Sequence, residues 1–213
     1  MTAVEIGSGR ATTTVYLVRH AAHELVDRAL VGRNAAVNLS AAGFAQARAL
    51  GRYFAAKKVA AVQTSPQPRA RQTADAIALG AGLSSEIACN LNELDMGEWT
   101  GRSFAELERD PRWRAWNERR ASSRPPGGES MAAIRRRMLG HLHDMHARYP
   151  NGSLVMVSHA EPIRAVILHY LALSPDEFMS VRIDPACVTT ILLRARAGTI
   201  VRSNECIEAL LAA

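Results

Sequence analysis

Three short runs of apolar residues along the chain each lead into polar side chains. The runs cover residues 14–18, 59–63 and 153–157 and are rich in Val and other apolar residues. Runs of this length and composition are typical of strands buried inside a sheet. The pattern therefore predicts three core strands, each of which delivers polar residues at its carboxyl end.

Between these runs, apolar residues recur at helical spacing. A helix is expected after Ser40, a favourable N-cap, with apolar residues three or four positions apart at Phe44, Ala47, Leu50 and Phe54. The other predicted elements are helices over residues 69–79, 130–149 and 163–171 and strands near residues 188–193 and 199–203. The alternation of strands and helices predicts an α/β fold: a three-layer αβα sandwich with a largely parallel central sheet.

The pattern changes between residues 95 and 129. Ser103 and Glu106 have the spacing of a capping box at the start of a short helix, and Trp113 and Trp116 lie on a second helix. We interpret this segment as a helical insertion over one edge of the sheet, in which the tryptophans pack together. Residues 14–213 are expected to form one domain, preceded by a flexible leader of residues 1–13.

Composition narrows the class of protein. The chain has 213 residues, of which 48% are hydrophobic and 22% charged, as in a globular protein. No run approaches the roughly 20 apolar residues of a membrane span, and the N-terminal residues lack a signal-peptide core. A cytoplasmic location is therefore expected.

The three cysteines suggest no covalent framework. Cys89, Cys187 and Cys206 are odd in number, widely spaced and without a Cys-x-x-Cys pair. Buried or inert thiols are expected. A metal site on His141, His143 and His146 is not expected either, because their spacing does not put all three on one helix face.

The formal net charge of +6 and the sequence pI near 9.8 suit an anionic partner. Nearly all the positive charge is Arg, scattered along the chain without a basic stripe or a recognisable nucleic-acid motif. We therefore expect neither a nucleic-acid nor a membrane partner. An anionic small molecule is the remaining candidate for the partner.

The candidate chemistry lies where the predicted strands end. Arg19 and His20 follow the first strand, a Thr-Ser pair leads to Arg69 after the second, and His159 follows the third. Ligands of open α/β sheets bind beyond the carboxyl ends of the strands. Two arginines and two imidazoles at one edge would form a cationic pocket, and a phosphate group is the ligand that fits it best.

The order of short motifs resembles the histidine phosphatase superfamily, which includes the cofactor-dependent phosphoglycerate mutases and many broad-specificity phosphatases. The resemblance runs from about residue 14 to 193. It is carried by Leu17-Val18-Arg19-His20, Gly32-Arg33, Leu39-Ser40, Thr64-Ser65-Pro66, Arg69-Ala70, Leu91-x-Glu93, Gly97-x-Trp99-x-Gly101, Pro126-Gly127-Gly128-Glu129-Ser130 and Val157-Ser158-His159. It implies a phosphoglycerate mutase-like fold.

The resemblance also implies roles for the strand-end residues. His20 would be the nucleophile that forms a phosphohistidine. Arg19, Arg69 and His159 would clamp the phosphoryl oxygens and stabilise the charge of the transition state. Neither a metal ion nor a cofactor is expected.

The sequence offers more than one candidate for the proton donor. Glu93 holds the family's position for the acid that protonates the leaving oxygen and later activates water. Asp95 and Glu98 lie close by in the sequence and are alternatives.

Two departures from the family pattern, together with Arg33, concern the substrate. Ala21-Ala22-His23 follows the nucleophile where the family usually has Gly-Glu-Thr, and Ala160 replaces a common Gly. Both turns must then use ordinary backbone angles, or the crevice narrows. His23 is either a substrate contact or an exposed loop histidine, and Arg33 either binds a second anionic group or is a surface arginine.

The resulting hypothesis is a metal-independent phosphomonoester hydrolase that acts on a small phosphorylated metabolite, with either a monomer or a homodimer as its assembly. The chain is short and lacks segments to retain a bisphosphorylated intermediate, which favours phosphatase over a phosphoglycerate mutase-like reaction. A module that binds phosphate without catalysis is the hypothesis from another class. Binding alone would not require a nucleophile and a proton donor together, so the presence of both candidates argues against such a module.

Overall fold

A computed structural model describes residues 11–207 of the chain, so most of the predicted leader lies outside the described residues. The first strand begins at Thr13, inside the range expected for that leader. The strands are Thr13–Arg19 (β1), Ala61–Thr64 (β2), Ser85–Ile87 (β3), Ser153–Ser158 (β4), Cys187–Arg194 (β5) and Ala197–Cys206 (β6).

The six strands form one mixed sheet in the order β3-β2-β4-β1-β5-β6. The four strands β3, β2, β4 and β1 are parallel, whereas β5 and β6 add to one side as antiparallel neighbours. The predicted α/β fold is confirmed, and the parallel part of the sheet is the part that carries the predicted site. Strand β3 was not predicted, because three residues that are mostly exposed give no strand pattern.

The sequence places caps at Ser40 and Ser103, and the structure confirms both of them among its helices. They are Ala41–Ala55 (α1), Pro68–Ala81 (α2), Phe104–Leu107 (α3), Pro111–Glu118 (α4), Met131–Arg148 (α5) and Ala160–Tyr170 (α6). The Ser40 side chain accepts a hydrogen bond from the N–H of Gly43, and Ser103 and Glu106 form the predicted capping box. Short 3-10 turns occupy Cys89–Leu91, Gly97–Trp99 and Pro175–Ser180.

Alternate residues of each central strand face opposite sides of the sheet. In β4, Leu154 and Met156 pack with helices α5 and α6, and Val155 and Val157 pack with α1 and α2. Both faces are thereby covered, which gives the three-layer arrangement.

The insertion of residues 95–129 forms a third apolar cluster. Trp99 and Trp116 are fully buried there, next to Leu107. The cluster packs against Met131 and Ile134 of helix α5. The predicted packing of the tryptophans is confirmed, and it fixes the insertion beside the carboxyl ends of the parallel strands.

The expectation for the cysteines was wrong. Cys187 and Cys206 are directly opposite each other in the β5–β6 pair and form a disulfide, and Cys89 is exposed. The two bonded cysteines are 19 residues apart, and only the register of the hairpin brings them together. Nothing in their spacing could indicate that register.

Among residues 11–207, no helix combines the length and the apolar character that crossing a membrane requires.

Candidate active site

The register of the parallel strands brings the predicted residues to one edge of the sheet. Arg19 of β1 lies opposite Ser158 of β4, and Thr64 of β2 lies opposite Val157. Just beyond these pairs, the N–H of His20 donates to the carbonyl of Ser158 at 3.0 Å, and that of Ser65 to the carbonyl of Val157 at 3.0 Å. His20, Ser65 and His159 therefore leave three adjacent strands at the same level.

His20 is buried, and its ring is oriented by two neighbours. Its Nδ1 lies 2.8 Å from the carbonyl oxygen of Ala21, which can only accept, so Nδ1 carries the proton. The lone pair is then on Nε2, which accepts from Nε of Arg69 at 3.3 Å. Burial lowers the pKa of His20 well below its usual value, and Arg69 and Arg19 lower it further. The ring is neutral and presents a nucleophilic nitrogen.

Arg69, in the first turn of helix α2, is only 1% exposed. Burial lowers its pKa to about 10, so it remains charged at neutral pH. Its Nη2 donates to the carbonyl of Gly32 at 2.7 Å and lies 3.2 Å from Nδ1 of His159. Because Arg69 can only donate, Nδ1 of His159 accepts, and its Nε2–H donates to Oγ of Ser65 at 2.7 Å.

Arg19 supplies a second cation at the same place. Its Nη1 donates to the carbonyl of Ile183 at 2.7 Å, which fixes the guanidinium from the β5 side of the sheet. Its Nε is buried and has no hydrogen-bond partner among the described residues. Such a donor is rarely left without a partner in a folded protein, and an anion beside it would provide one.

These groups lie at one end of a cleft of about 660 Å³. Of the predicted residues, the cleft is lined by Arg19, His20, His23, Arg69, Glu93 and Ala160. His159 does not reach its wall. It lies behind Arg69, fully buried, and its ring centroid is 5.0 Å from that of His20.

Glu93 faces the cleft from the loop that follows the 3-10 turn Cys89–Leu91. That turn is held to the end of β4 by a 2.7 Å hydrogen bond from Oγ of Ser158 to the carbonyl of Leu91. Oε1 of Glu93 accepts from the N–H of Leu94 at 2.8 Å. Burial, with the nearby negative charge of Glu161, raises the pKa of Glu93 to about 7.

The alternative acids are engaged elsewhere. The Asp95 carboxylate pairs with Arg33 at 3.4 Å, and the exposed Glu98 pairs with Arg112 at 3.2 Å. Neither carboxylate lines the cleft. The geometry therefore favours Glu93 as the acid.

Arg33 does not contact the cleft, so the structure gives no support to its predicted role in binding a second anionic group. Its Nε donates to the backbone carbonyl of Glu93 at 2.9 Å, and Nη2 of Arg137 donates to the same oxygen at 3.2 Å. The Glu129 carboxylate bridges the two arginines. Arg33 belongs to a clamp that holds the loop of Glu93.

His23 is not an exposed loop histidine. It is 8% exposed, and its ring stacks on that of His20 with centroids 5.4 Å apart. Its Nδ1 accepts from the N–H of Leu25 at 3.2 Å, so the proton is on Nε2. Burial, with Arg69 and Arg19 nearby, lowers the pKa of His23 to about 4, and the ring offers a neutral donor to the cleft.

The alanines that replace the usual glycines adopt ordinary backbone angles. Neither Ala21 nor Ala160 has a positive φ, which is the first of the two outcomes expected for these turns. The Ala21 N–H donates to Oγ1 of Thr73 at 3.0 Å, and the Ala22 N–H donates to Oε1 of Gln46 at 3.0 Å. Side chains of α2 and α1 therefore hold the loop that carries His20.

Three polar residues near the site were not predicted to belong to it. Ser65 accepts from His159, and its Oγ is 3.4 Å from Oδ1 of Asn92, which also accepts from the N–H of Glu93 at 2.9 Å. Glu161 lines the cleft between two arginines. Ser65 lies inside a family motif, but no local pattern marks the other two.

Comparisons with known proteins identify the family of this chain. The profile of the histidine phosphatase superfamily (branch 1) matches residues 15–206, and the chain therefore belongs to this superfamily. The chain is 31% identical over 193 residues to phosphoserine phosphatase 1 of Hydrogenobacter thermophilus, with 88% of this chain and 90% of the relative covered.

Two further similarities bear on function and fold. A 2,3-bisphosphoglycerate-dependent phosphoglycerate mutase of Mesorhizobium japonicum is 29% identical over 209 residues, which cover 92% of this chain and 98% of the relative. The structure of mycobacterial glucosyl-3-phosphoglycerate phosphatase superposes with a TM-score of 0.82 at 21% identity, covering 91% of this chain and 99% of that one. The superposition supports the phosphoglycerate mutase-like fold.

Proposed function

We propose that the protein hydrolyses phosphomonoesters, without a metal ion, through a phosphohistidine on Nε2 of His20. The observation that carries the proposal is the orientation of this ring. Its Nδ1–H is bonded to the carbonyl of Ala21, so the lone pair of Nε2 is directed toward the guanidinium of Arg69. A phosphate group held by Arg69 and Arg19 would meet that lone pair.

In the first step, Nε2 of His20 attacks phosphorus and the bond from phosphorus to the ester oxygen breaks. The protonated carboxyl of Glu93 gives its proton to that oxygen, and the alcohol leaves. Arg19 and Arg69 stabilise the negative charge on the transferred phosphoryl oxygens. His159 positions Arg69, since its Nδ1 accepts from that side chain.

In the second step, water attacks phosphorus and passes a proton to the Glu93 carboxylate. The bond from phosphorus to Nε2 breaks, its electron pair returns to the ring, and inorganic phosphate is released. A pKa of about 7 suits Glu93 to both steps, because the group must give a proton and then accept one near neutral pH.

Hydrolysis is favoured over a mutase reaction. Relatives named phosphatases include the phosphoserine phosphatase above, and the similarity to it is at least as great as that to the mutase. A mutase would return the phosphoryl group to a second hydroxyl of its substrate. Release of inorganic phosphate in proportion to the alcohol formed separates the two reactions.

Trapping of the covalent intermediate tests the proposal. The Glu93→Gln variant is mixed with para-nitrophenyl phosphate, whose good leaving group needs no proton, and the reaction is quenched in base because phosphohistidine is labile in acid. We expect a phosphoryl group on the peptide that contains His20, because water activation is slowed. Continued turnover with no phosphorylated His20, or with phosphate on another residue, would contradict the mechanism.

The cytoplasmic location predicted from the sequence remains a proposal. The disulfide between Cys187 and Cys206 points the other way, because structural disulfides are typical of oxidising compartments.

A further inference from the structure

The cleft is much larger than the phosphate site at its end. Its volume is about 660 Å³, within the range of about 300–1,000 Å³ over which pockets bury most of a drug-sized ligand. The nucleophile and the two arginines occupy only one end. The remainder is available to the alcohol part of the substrate.

The walls of this remaining part are mainly apolar, and we refer to it as the leaving-group end. They come from the loop after β1, the insertion and the 3-10 turn Pro175–Ser180. The apolar side chains that line it include Leu30, Val31, Met96, Phe104, Trp113 and Phe178.

The aromatic part of this wall is already ordered. Trp113 packs against the fully buried Trp99 with ring centroids 5.3 Å apart, and against Trp116 at 5.3 Å. Phe104 lies beside Trp113 at 6.3 Å. Rings held in place by one another lose little freedom when a ligand covers them, so this wall can bind an apolar group at low entropic cost.

The cations inside the leaving-group end are already paired. The Glu161 carboxylate forms ion pairs with Arg120 at 2.9 Å and with Arg164. The Arg120 guanidinium lies between the rings of Trp116 and Phe178, at 3.9 Å and 3.4 Å from their centroids. Both faces of this guanidinium are covered.

A carboxylate on the substrate would therefore have to compete with Glu161. The Nη1 of Arg120 donates to Glu161, and its Nη2 donates to Oδ1 of Asn117 at 2.8 Å. Its Nε has no hydrogen-bond partner among the described residues, but this atom is buried. Displacing one partner of a buried ion pair is strongly unfavourable, because it leaves a buried charge without its partner. Charges that are open to solvent occur at the mouth, where Asp27, Glu108 and Arg114 are exposed and mixed in sign.

We propose that the substrates are phosphomonoesters whose alcohol carries an aromatic or similarly bulky apolar group, rather than small carboxylated alcohols such as serine. The apolar group lies against Phe104 and Trp113 while His20 attacks phosphorus. This inference rests on the proposed phosphatase function, and it sets this chain apart from its relative named for phosphoserine.

The test compares alkyl phosphates with similarly poor leaving groups, so that only the recognition of the alcohol differs. Values of kcat/KM are measured for naphthylmethyl phosphate, ethyl phosphate and phosphoserine. We expect kcat/KM for naphthylmethyl phosphate to exceed that for phosphoserine by at least about tenfold, the usual scale of discrimination by an apolar pocket. Equal values, or a preference for phosphoserine, would overturn the inference.

Substitutions inside and outside the cleft show which side chains cause the preference for the aromatic ester. Phe104→Ala should lower kcat/KM for naphthylmethyl phosphate by about tenfold and leave ethyl phosphate within about twofold. Phe44→Ala removes a ring of the same size from the exposed side of α1, outside the cleft, and should change neither value. An equal loss with both substrates in Phe104→Ala would contradict a binding role for the ring.

The outcomes distinguish this inference from the proposed function. If none of the three esters nor para-nitrophenyl phosphate is hydrolysed, phosphatase activity itself is wrong. If all are hydrolysed without preference for the aromatic ester, the phosphatase function stands and the inference fails.

Trp113→Phe serves as a second variant that keeps the buried cluster filled, and it should retain most of the preference.

Discussion

The two ends of the cleft are formed by different kinds of structural element. At the phosphate end, Arg19, His20 and Arg69 leave strand and helix ends whose positions follow from the register of parallel strands. At the leaving-group end, side chains such as Trp113 and Phe178 come from the insertion and from the 3-10 turn Pro175–Ser180. One end depends on backbone pairing, and the other depends on side-chain packing.

The difference also appears in the polar contacts. The phosphate end holds neutral imidazoles and charged guanidinium groups in direct contact, such as Arg69 with His20 at 3.3 Å and with His159 at 3.2 Å. At the leaving-group end, the three arginines Arg114, Arg120 and Arg164 are balanced by the three carboxylates Asp27, Glu108 and Glu161. The first end is therefore suited to an anion, and the second is suited to an uncharged group.

This contrast suggests how one fold serves several substrates. In the proposed mechanism the chemistry depends on residues that the sheet positions, whereas in the proposed substrate preference recognition of the alcohol depends on side chains of the insertion. Loops on a rigid scaffold are the usual place for such variation.

The largest expected effect is the loss of the nucleophile at the phosphate end. His20→Ala should lower kcat/KM for every phosphomonoester by at least about 10⁴-fold, because the covalent route is removed. Steady-state release of inorganic phosphate measures the loss, and circular dichroism checks the fold. The control His169→Ala changes an exposed histidine outside the cleft and should remain active. Residual activity of His20→Ala within tenfold of the unmodified protein would exclude His20 as the nucleophile.

The second effect concerns the proton donor between the two ends. Glu93→Gln should lower kcat/KM for ethyl phosphate by about 100-fold, a typical contribution of general acid catalysis. The loss with para-nitrophenyl phosphate should stay within about threefold, because its phosphorylation step needs no proton from the enzyme. An equal loss with both esters would contradict this role.

The pH dependence of kcat/KM tests the role of Glu93 independently. With a pKa of about 7, Glu93 is protonated at lower pH and loses its proton as pH rises through that value. For ethyl phosphate, kcat/KM should therefore fall above about pH 7, and this fall should be absent in Glu93→Gln. The control Glu98→Gln alters an exposed carboxylate nearby and should keep the fall.

The contrast between the two ends explains how much the sequence could predict. Each residue of the phosphate end follows a run of apolar residues or a helix start, so a local pattern fixes its position, as for His20 and Arg69. Glu161 and the disulfide of Cys187 and Cys206 depend on pairings between distant segments. The contacts of Arg33 with the loop of Glu93 could not be predicted for the same reason, because its partners are 60 or more residues away.

The smallest effect tests whether Arg33 acts through Glu93, as its hydrogen bond to the Glu93 carbonyl indicates. Arg33→Ala should lower kcat/KM for ethyl phosphate by about tenfold, because small displacements of a catalytic group slow reaction steeply. The loss should be smaller than in Glu93→Gln, since Arg137 still donates to the same carbonyl. With para-nitrophenyl phosphate the change should stay within about twofold.

The control for this variant is Arg112→Ala, which removes an exposed arginine of the insertion that pairs with Glu98 and Asp110 and does not line the cleft. It should leave both esters unaffected. If Arg33→Ala instead raises KM only for substrates with a second anionic group, Arg33 contacts substrate directly, as the sequence suggested. The loop of Glu93 would then move during turnover to bring that arginine into the cleft, and the separation of the two ends would be weaker than the structure indicates.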